Sequence, residues 1–228
     1  MRFPGGIVRA TPKIPTVSDA KGIWTMREAL QAKAQGIWPS AALVTLDAAT
    51  NANAGTLSGG DLTYTATSAS GNNIRSTVSK SSGKWYFEYD PSAGSDGYVA
   101  VGVCTDGMAV AGYASIGAVP ATAWVYRDDA NKINNGSNAA FGANWSSANV
   151  IGVAFDIDAG KLWWAVDGTW QGSGDPAAGT NPAYTGVTGT LRAIVMYFGT
   201  GGTPAGTARF DPASFTQTMP SGFSALSN

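Results

Sequence analysis

Gly83-Lys-Trp-Tyr-Phe-Glu-Tyr89, followed after one turn by Val99-Ala-Val-Gly-Val103, decides how this chain of 228 residues is read. Trp85, Phe87 and Tyr89 alternate with Tyr86, Glu88 and Asp90, while Val99, Val101 and Val103 alternate with Ala100 and Gly102. Successive side chains of a strand leave opposite faces, so a period of two is the pattern of half-buried strands. Pro91 to Gly97 supplies the turn, and the two segments are expected to form an antiparallel hairpin.

The same pattern recurs on both sides of this stretch. Further strands are expected at 42–47, 62–67, 74–79, 121–126, 149–157, 161–166, 169–171, 191–198 and 207–210, separated by Gly, Asn, Ser and Pro. Asp167-Gly168 between two of them is a type I′ hairpin signal, because both residue types tolerate positive φ. Gly172 to Tyr184 is rich in Gly, Pro and Asn without a strand pattern, which predicts a long surface loop. An antiparallel β-sandwich over residues 41–228 follows.

Residues 1–40 differ in kind. Met1 to Asp19 carries Pro4, Pro12 and Pro15 and no sustained apolar period, so an extended arm is expected. Thr25 can cap a short helix with Glu28 as its third residue, Met26, Leu30 and Ala34 on one side, and Gly36 as its stop. Trp24 and Trp38 stand at the two ends as matching aromatic anchors, which pack on the helix or sandwich, or else dock into another subunit.

Composition narrows the chemistry. A formal charge of −1 and a pI near 5.3 lack the basic footprint of a nucleic-acid binder. No apolar run is long enough to cross a bilayer, and the N-terminus lacks the apolar core of a secretory signal, so a soluble chain made in a cytoplasm is expected. The chain has no histidine, which removes Ser-His-Asp and Cys-His relays and the usual zinc sites. Glu28 and Glu88 are the only glutamates and lie far apart, so no clustered carboxylate pair for glycoside hydrolysis is offered. Cys104, the single cysteine, ends an apolar strand and reads as a small core residue. Asp156-Ile-Asp158-Ala-Gly160 lacks the later acidic ligands of a calcium loop and reads as a turn. No enzyme activity, metal or cofactor is expected.

Several linked pieces then resemble the SPRY domains, β-sandwiches of the concanavalin-like kind. They are Ser82-Gly-Lys-Trp-Tyr-Phe-Glu-Tyr89, Val101-Gly-Val103, Gly112-Tyr113, Asn149-Val-Ile-Gly-Val-Ala-Phe-Asp-Ile-Asp158, Gly160-Lys-Leu-Trp-Trp164, Asp167-Gly-Thr-Trp-Gln-Gly172 and Pro220-Ser-Gly-Phe223. With Gly174 to Pro182, the chain looks like the SPRY domains of tailed-phage structural proteins. Gly5-Gly-Ile-Val8, Gly22-Ile-Trp-Thr25 and Gln35-Gly-Ile-Trp-Pro39 resemble the N-terminal segment of phage virion and tail proteins. The resemblance implies a non-catalytic recognition module that binds through loops at one end of the sandwich.

Loop-adjacent candidates on that surface are Tyr113, Tyr126, Arg127 and Trp145. Tyr126 and Arg127 form an anchor pair if both are exposed; alternatively Tyr126 is core and Arg127 pairs with Asp128 or Asp129 as a solvated cluster. Trp145 either caps the core or faces a ligand. Trp163 and Trp164 point to opposite faces of one strand, so one lies on the outer side of its sheet, covered by the N-terminal segment or exposed as a contact. The arm, through Ile7, Val8, Trp24 and Trp38, is expected to dock onto other virion proteins, in repeated copies on a symmetric particle. The alternative is a tail-associated adhesin for a host-surface glycan or protein.

Overall fold

In the computed structural model, residues 43–67, 71–92, 99–198 and 203–227 are described. The chain divides into two units, Met1–Ala42 and Leu43–Asn228, and every described residue belongs to the second. The expected arm, the helix from Thr25 and the docking residues Ile7, Val8, Trp24 and Trp38 lie outside the described residues.

The described residues of the second unit form fifteen strands: β1 Thr56–Ser58, β2 Thr63–Thr65, β3 Asn72–Arg75, β4 Lys84–Pro91, β5 Val99–Thr105, β6 Ala123–Arg127, β7 Asn131–Asn134, β8 Ser137–Ala140, β9 Ile151–Asp156, β10 Lys161–Val166, β11 Thr169–Trp170, β12 Tyr184–Thr185, β13 Leu191–Tyr197, β14 Ala205–Arg209 and β15 Ser224–Ala225. They form two sheets. One has the order β1-β2-β14-β4-β9-β10-β11, with β12 on β10 and β15 parallel to β4; the other has the order β3-β13-β5-β6-β7-β8. The all-β sandwich is as the alternating segments implied.

The core between the sheets follows from that alternation. Phe87 and Tyr89 of β4, Val153 and Phe155 of β9 and Trp164 of β10 face Val101 and Val103 of β5, Tyr126 of β6 and Val195 and Tyr197 of β13. Polar ties cross it as well: the Tyr89 and Tyr197 hydroxyls meet at 2.7 Å, and Trp164 Nε1 donates to the Val101 carbonyl at 3.1 Å. At the tight approach of β5 to β6 only glycine fits, since a Cβ on Gly102 would stand 2.0 Å from the Trp124 carbonyl oxygen.

The expected β4–β5 hairpin is corrected. β4 pairs with β14 and β9 in one sheet, whereas β5 pairs with β13 and β6 in the other. The two strands therefore stack across the core and do not lie edge to edge. Alternation reports which side chains turn inward, and inward-facing Phe87 and Val101 are equally compatible with either arrangement. The half-buried expectation is corrected too, because both sheets are covered on their outer faces. Tyr86, Ala154 and Trp163 pack beneath Phe223, Phe215, Met219 and Trp170. Ala100, Cys104, Val125, Ile133 and Met196 pack beneath Met108, Val119 and Ile116.

Local signals read well. Asp167 and Gly168 take φ of 48° and 77° and join β10 to β11 with Val166 opposite Thr169, as a type I′ turn requires. Asp156 closes the β9–β10 turn by accepting from the Ala159 N–H at 2.9 Å and pairs with Lys84 at 3.3 Å. The expected strand at 42–47 shrinks to one bridge, Leu46 to Ser76, because the chain then coils through a short 3-10 turn at Ala48–Thr50 capped by Asp47. The loop from Gly172 folds on itself through paired backbone bonds between Asp175 and Thr180.

Candidate functional site

Between β5 and β6 the chain runs over the outer face of the six-stranded sheet as Met108-Ala-Val-Ala-Gly-Tyr-Ala-Ser-Ile-Gly-Ala-Val-Pro120, which contains no charged residue. Met108 and Val119 sink into the apolar layer on that face and fix the two ends. Between them Val110 stands 52% exposed. The loop thus presents an uncharged surface with one exposed aliphatic side chain, Val110, between two buried ends.

Two residues of β3 hold the loop. Arg75, buried at 2% exposure, donates through Nη1 to the Met108 carbonyl at 2.8 Å and to that of Asp106 at 3.3 Å. Asn73 donates to the Ala111 carbonyl at 2.7 Å, and the Tyr113 hydroxyl closes the loop on itself by donating to Ala109 at 3.0 Å. The buried guanidinium thus has carbonyl oxygens as its acceptors, and its position fixes the course of the loop backbone. Cys104 lies in the same layer, where burial pushes its thiol up to about 12 while Arg75 partly opposes that shift.

The structure scatters the sequence-selected candidates. Tyr113 is half-buried, with its body on the outer-face layer and its edge in the exposed loop. Tyr126 is fully buried in the main core, ringed by Phe141, Trp145 and Trp164, and its hydroxyl donates to the Ala143 carbonyl. Burial, with the nearby Asp129 charge, raises its phenol. Trp145 also lies in that core, at 4% exposure. Arg127 pairs with Asp129, whose carboxyl is held below its ordinary value chiefly by that bond, and the neighbouring Asp128 accepts from the Val99 N–H at 3.1 Å. Tyr126 and Trp145 are therefore packing residues of the main core, and Tyr113 alone of the aromatic candidates reaches the loop surface.

The outer tryptophan is Trp163, and its observed cover comes from the C-terminal side. Phe223 meets its ring edge-on at 6.2 Å between centroids, and the Thr180 carbonyl accepts from its Nε1 at 2.8 Å. Glu88 pins that cover: its fully buried carboxylate accepts from the Thr216 N–H at 2.8 Å, the Gln217 N–H at 2.8 Å, the Thr216 hydroxyl at 3.1 Å and the Tyr86 hydroxyl at 3.0 Å.

The family model for the SPRY domain matches residues 84–203, more than half of the chain. The chain belongs to the SPRY-domain family. Among solved structures, the SPRY domain of human HERC1 matches with a TM-score of 0.60 at 14% identity, covering 72% of this chain and 96% of that one, a likeness that carries the fold. No curated protein matches the chain.

SPRY domains are protein-interaction modules, in general without enzymatic activity. Among the described residues no group of three or more His, Cys, Asp or Glu could hold a metal ion, and no helix is long and apolar enough to cross a membrane. Glu88, the one glutamate among the described residues, is committed to the C-terminal cover. Sequence reasoning reached the exposed loop through Gly112-Tyr113 but missed Val110, Asn73 and Arg75. The signal available for Val110 was the uncharged run itself; for Arg75 there was none, since its carbonyl acceptors come from a distant segment.

Proposed function

We propose that this SPRY domain is a non-enzymatic recognition module that presents the Ala109–Ala118 loop to a protein partner, with Val110 and Tyr113 as its apolar contacts. The observation that carries it is the exposed, uncharged loop fixed from below by buried Arg75 and Asn73. Pre-fixing a loop removes the ordering penalty that a flexible one incurs on binding, and a small apolar anchor then contributes its full burial. Arg127 stands at another part of the surface, tied to Asp129, and plays a smaller role.

The setting that best suits the chain is a tailed-phage virion, made in the host bacterial cytoplasm. Support comes from the likeness of Gly5 to Val8, Gly22 to Thr25 and Gln35 to Pro39 to the N-terminal segment of phage virion and tail proteins. In this scheme residues 1–40 anchor the chain to head or tail scaffold, through Ile7, Val8, Trp24 and Trp38, and the SPRY domain faces outward as a decoration. The adhesin alternative draws less support, because Trp145, an aromatic candidate for a host glycan, sits in the core.

Two measurements test the scheme. Deleting Met1 to Pro39 abolishes incorporation into particles; unchanged incorporation would remove the anchoring role. Val110→Asp leaves the thermal midpoint within about 1 °C, as surface substitutions do, and abolishes capture of the chain's virion partners. Undiminished capture by Val110→Asp and Tyr113→Ala together would take the loop out of the interface.

A further inference from the structure

β8 is the outermost strand of the six-stranded sheet, and all four of its residues are exposed. Its hairpin with β7 turns through Asn135 and Gly136, both at positive φ, and sets Asn134 opposite Ser137 and Lys132 opposite Ala139. In a two-residue hairpin the closing pair exchanges both backbone bonds, and bonded pairs alternate from there along the ladder. The bond from the Phe141 N–H to the Ala130 carbonyl, at 2.9 Å, keeps that phase. The N–H and C=O groups of Ser137 and Ala139 therefore point to β7, and those of Asn138 and Ala140 point away from the sheet. Neither Asn138 nor Ala140 has a backbone partner on that side among the described residues.

Open edges are template surfaces, and proteins usually blunt them with proline, lysine, a bulge or a covering segment. The opposite edge of this sheet has such a cover: Leu46 bridges to Ser76 and Ala52 to Asn73 alongside β3. Ser137-Asn-Ala-Ala140 has neither charge nor proline.

We infer that β8 pairs antiparallel with β8 of a second copy of this chain, about a two-fold axis at Ala139. In that register Asn138 faces the partner's Ala140 and Ala140 faces the partner's Asn138, so both outward-pointing residues exchange their bonds and the two sheets become continuous. A second copy fits this edge because an antiparallel strand paired with itself satisfies both sides with one sequence. Small uncharged side chains leave nothing to hold the backbones apart, and a net charge of −1 gives little repulsion between copies. A four-residue contact falls well below the roughly 1,200–2,000 Å² that stable interfaces bury. The pairing is accordingly weak and reversible in solution, with a dissociation constant on the order of 0.1–1 mM, and becomes populated where many copies are held close together.

Sedimentation equilibrium of the full chain from about 10 µM to about 1 mM tests this. The expected result is a weight-average mass that rises reversibly toward the dimer. Ala139→Lys and Ala139→Glu each place like charges opposite one another at the axis while leaving the backbone bonds to β7 intact. Each alone weakens association by about tenfold or more, and an equimolar mixture of the two restores it. Asn138→Pro, which removes an outward N–H, also yields monomer, and unchanged circular dichroism verifies the fold of all three. A chain that stays monomeric across the series, or a dimer indifferent to both charge variants and to their mixture, overturns the inference. So does a monomer whose Asn138 and Ala140 amides become protected on adding an extended peptide, because the edge then belongs to another protein.

Discussion

Removing the Glu88 carboxylate is expected to unfasten the C-terminal cover before it unfolds the sandwich. In Glu88→Ala, the two backbone N–H groups of Thr216 and Gln217 and the hydroxyls of Thr216 and Tyr86 lose their shared acceptor. Part-buried donors left without a partner cost about 1 kcal/mol each, and more where the lost bond was to a charge. Water entering the gap offsets part of that, so a net loss of about 2–4 kcal/mol is expected. For a domain of this size that corresponds to a fall in Tm of about 5–15 °C. Glu88→Gln keeps the shape but offers one acceptor oxygen in place of two, and is expected to lose about half as much. Local opening is distinguishable from global destabilisation by hydrogen exchange. The amides of Thr216, Gln217 and Leu226 should exchange much faster in both variants, with Trp163 emission shifting to the red, at denaturant concentrations where the amides of β5 and β13 remain protected. A Glu88→Ala protein with the wild-type Tm and unchanged exchange at Thr216 and Gln217 would refute the pinning role.

The Arg127–Asp129 pair gives a pH dependence of known sign. The bond from Arg127 lowers the Asp129 carboxyl below its ordinary 3.8, so the folded state favours the charged form. Its contribution is fully present above that ordinary value and is lost as pH falls through the lower folded value; Asp129→Asn should flatten the acid limb of a stability–pH curve, and an unchanged limb would count against the pair. Cys104, with its thiol pushed up to about 12 by burial, should resist an aromatic disulfide reagent in the native protein and react only on unfolding. Rapid native labelling at neutral pH would show the outer-face layer to be open.

What was legible in the sequence was what depends on near neighbours. The period of two in β4 and β5 gave strand identity and inward face, and Asp167-Gly168 gave its turn, because side-chain direction and positive φ are local properties. Which strands would lie side by side depends on contacts between distant segments, and the assumed hairpin across Pro91 to Gly97 failed for that reason. Asn135-Gly136 carried as good a turn signal, yet its flanks are too polar to show alternation, so β7 and β8 went unread. Phe215, Met219 and Phe223 are isolated apolar residues among Ser, Thr and Pro, with no period to reveal that they cover Trp163. For the candidate surface, Tyr113 was reachable through its motif. For Tyr126 and Trp145 the sequence left core and surface both open, and the structure takes the core alternative for each, with Arg127 paired to Asp129, because only contacts between distant segments decide which way such an aromatic turns.

The position of that cover at the end of the fold bears on how the protein is made. Among the described strands β15 is the last in sequence, so it adds to β4 after the others have been synthesised, and Leu226 then bonds to the Tyr86 carbonyl at 2.8 Å. On the ribosome, a nascent chain with the other described strands complete would therefore still lack Phe215, Met219 and Phe223, and would leave Tyr86, Ala154 and Trp163 with only Trp170 of their apolar cover. That interval is where chaperones would engage it, and where crowding of polysomes would lead to aggregation.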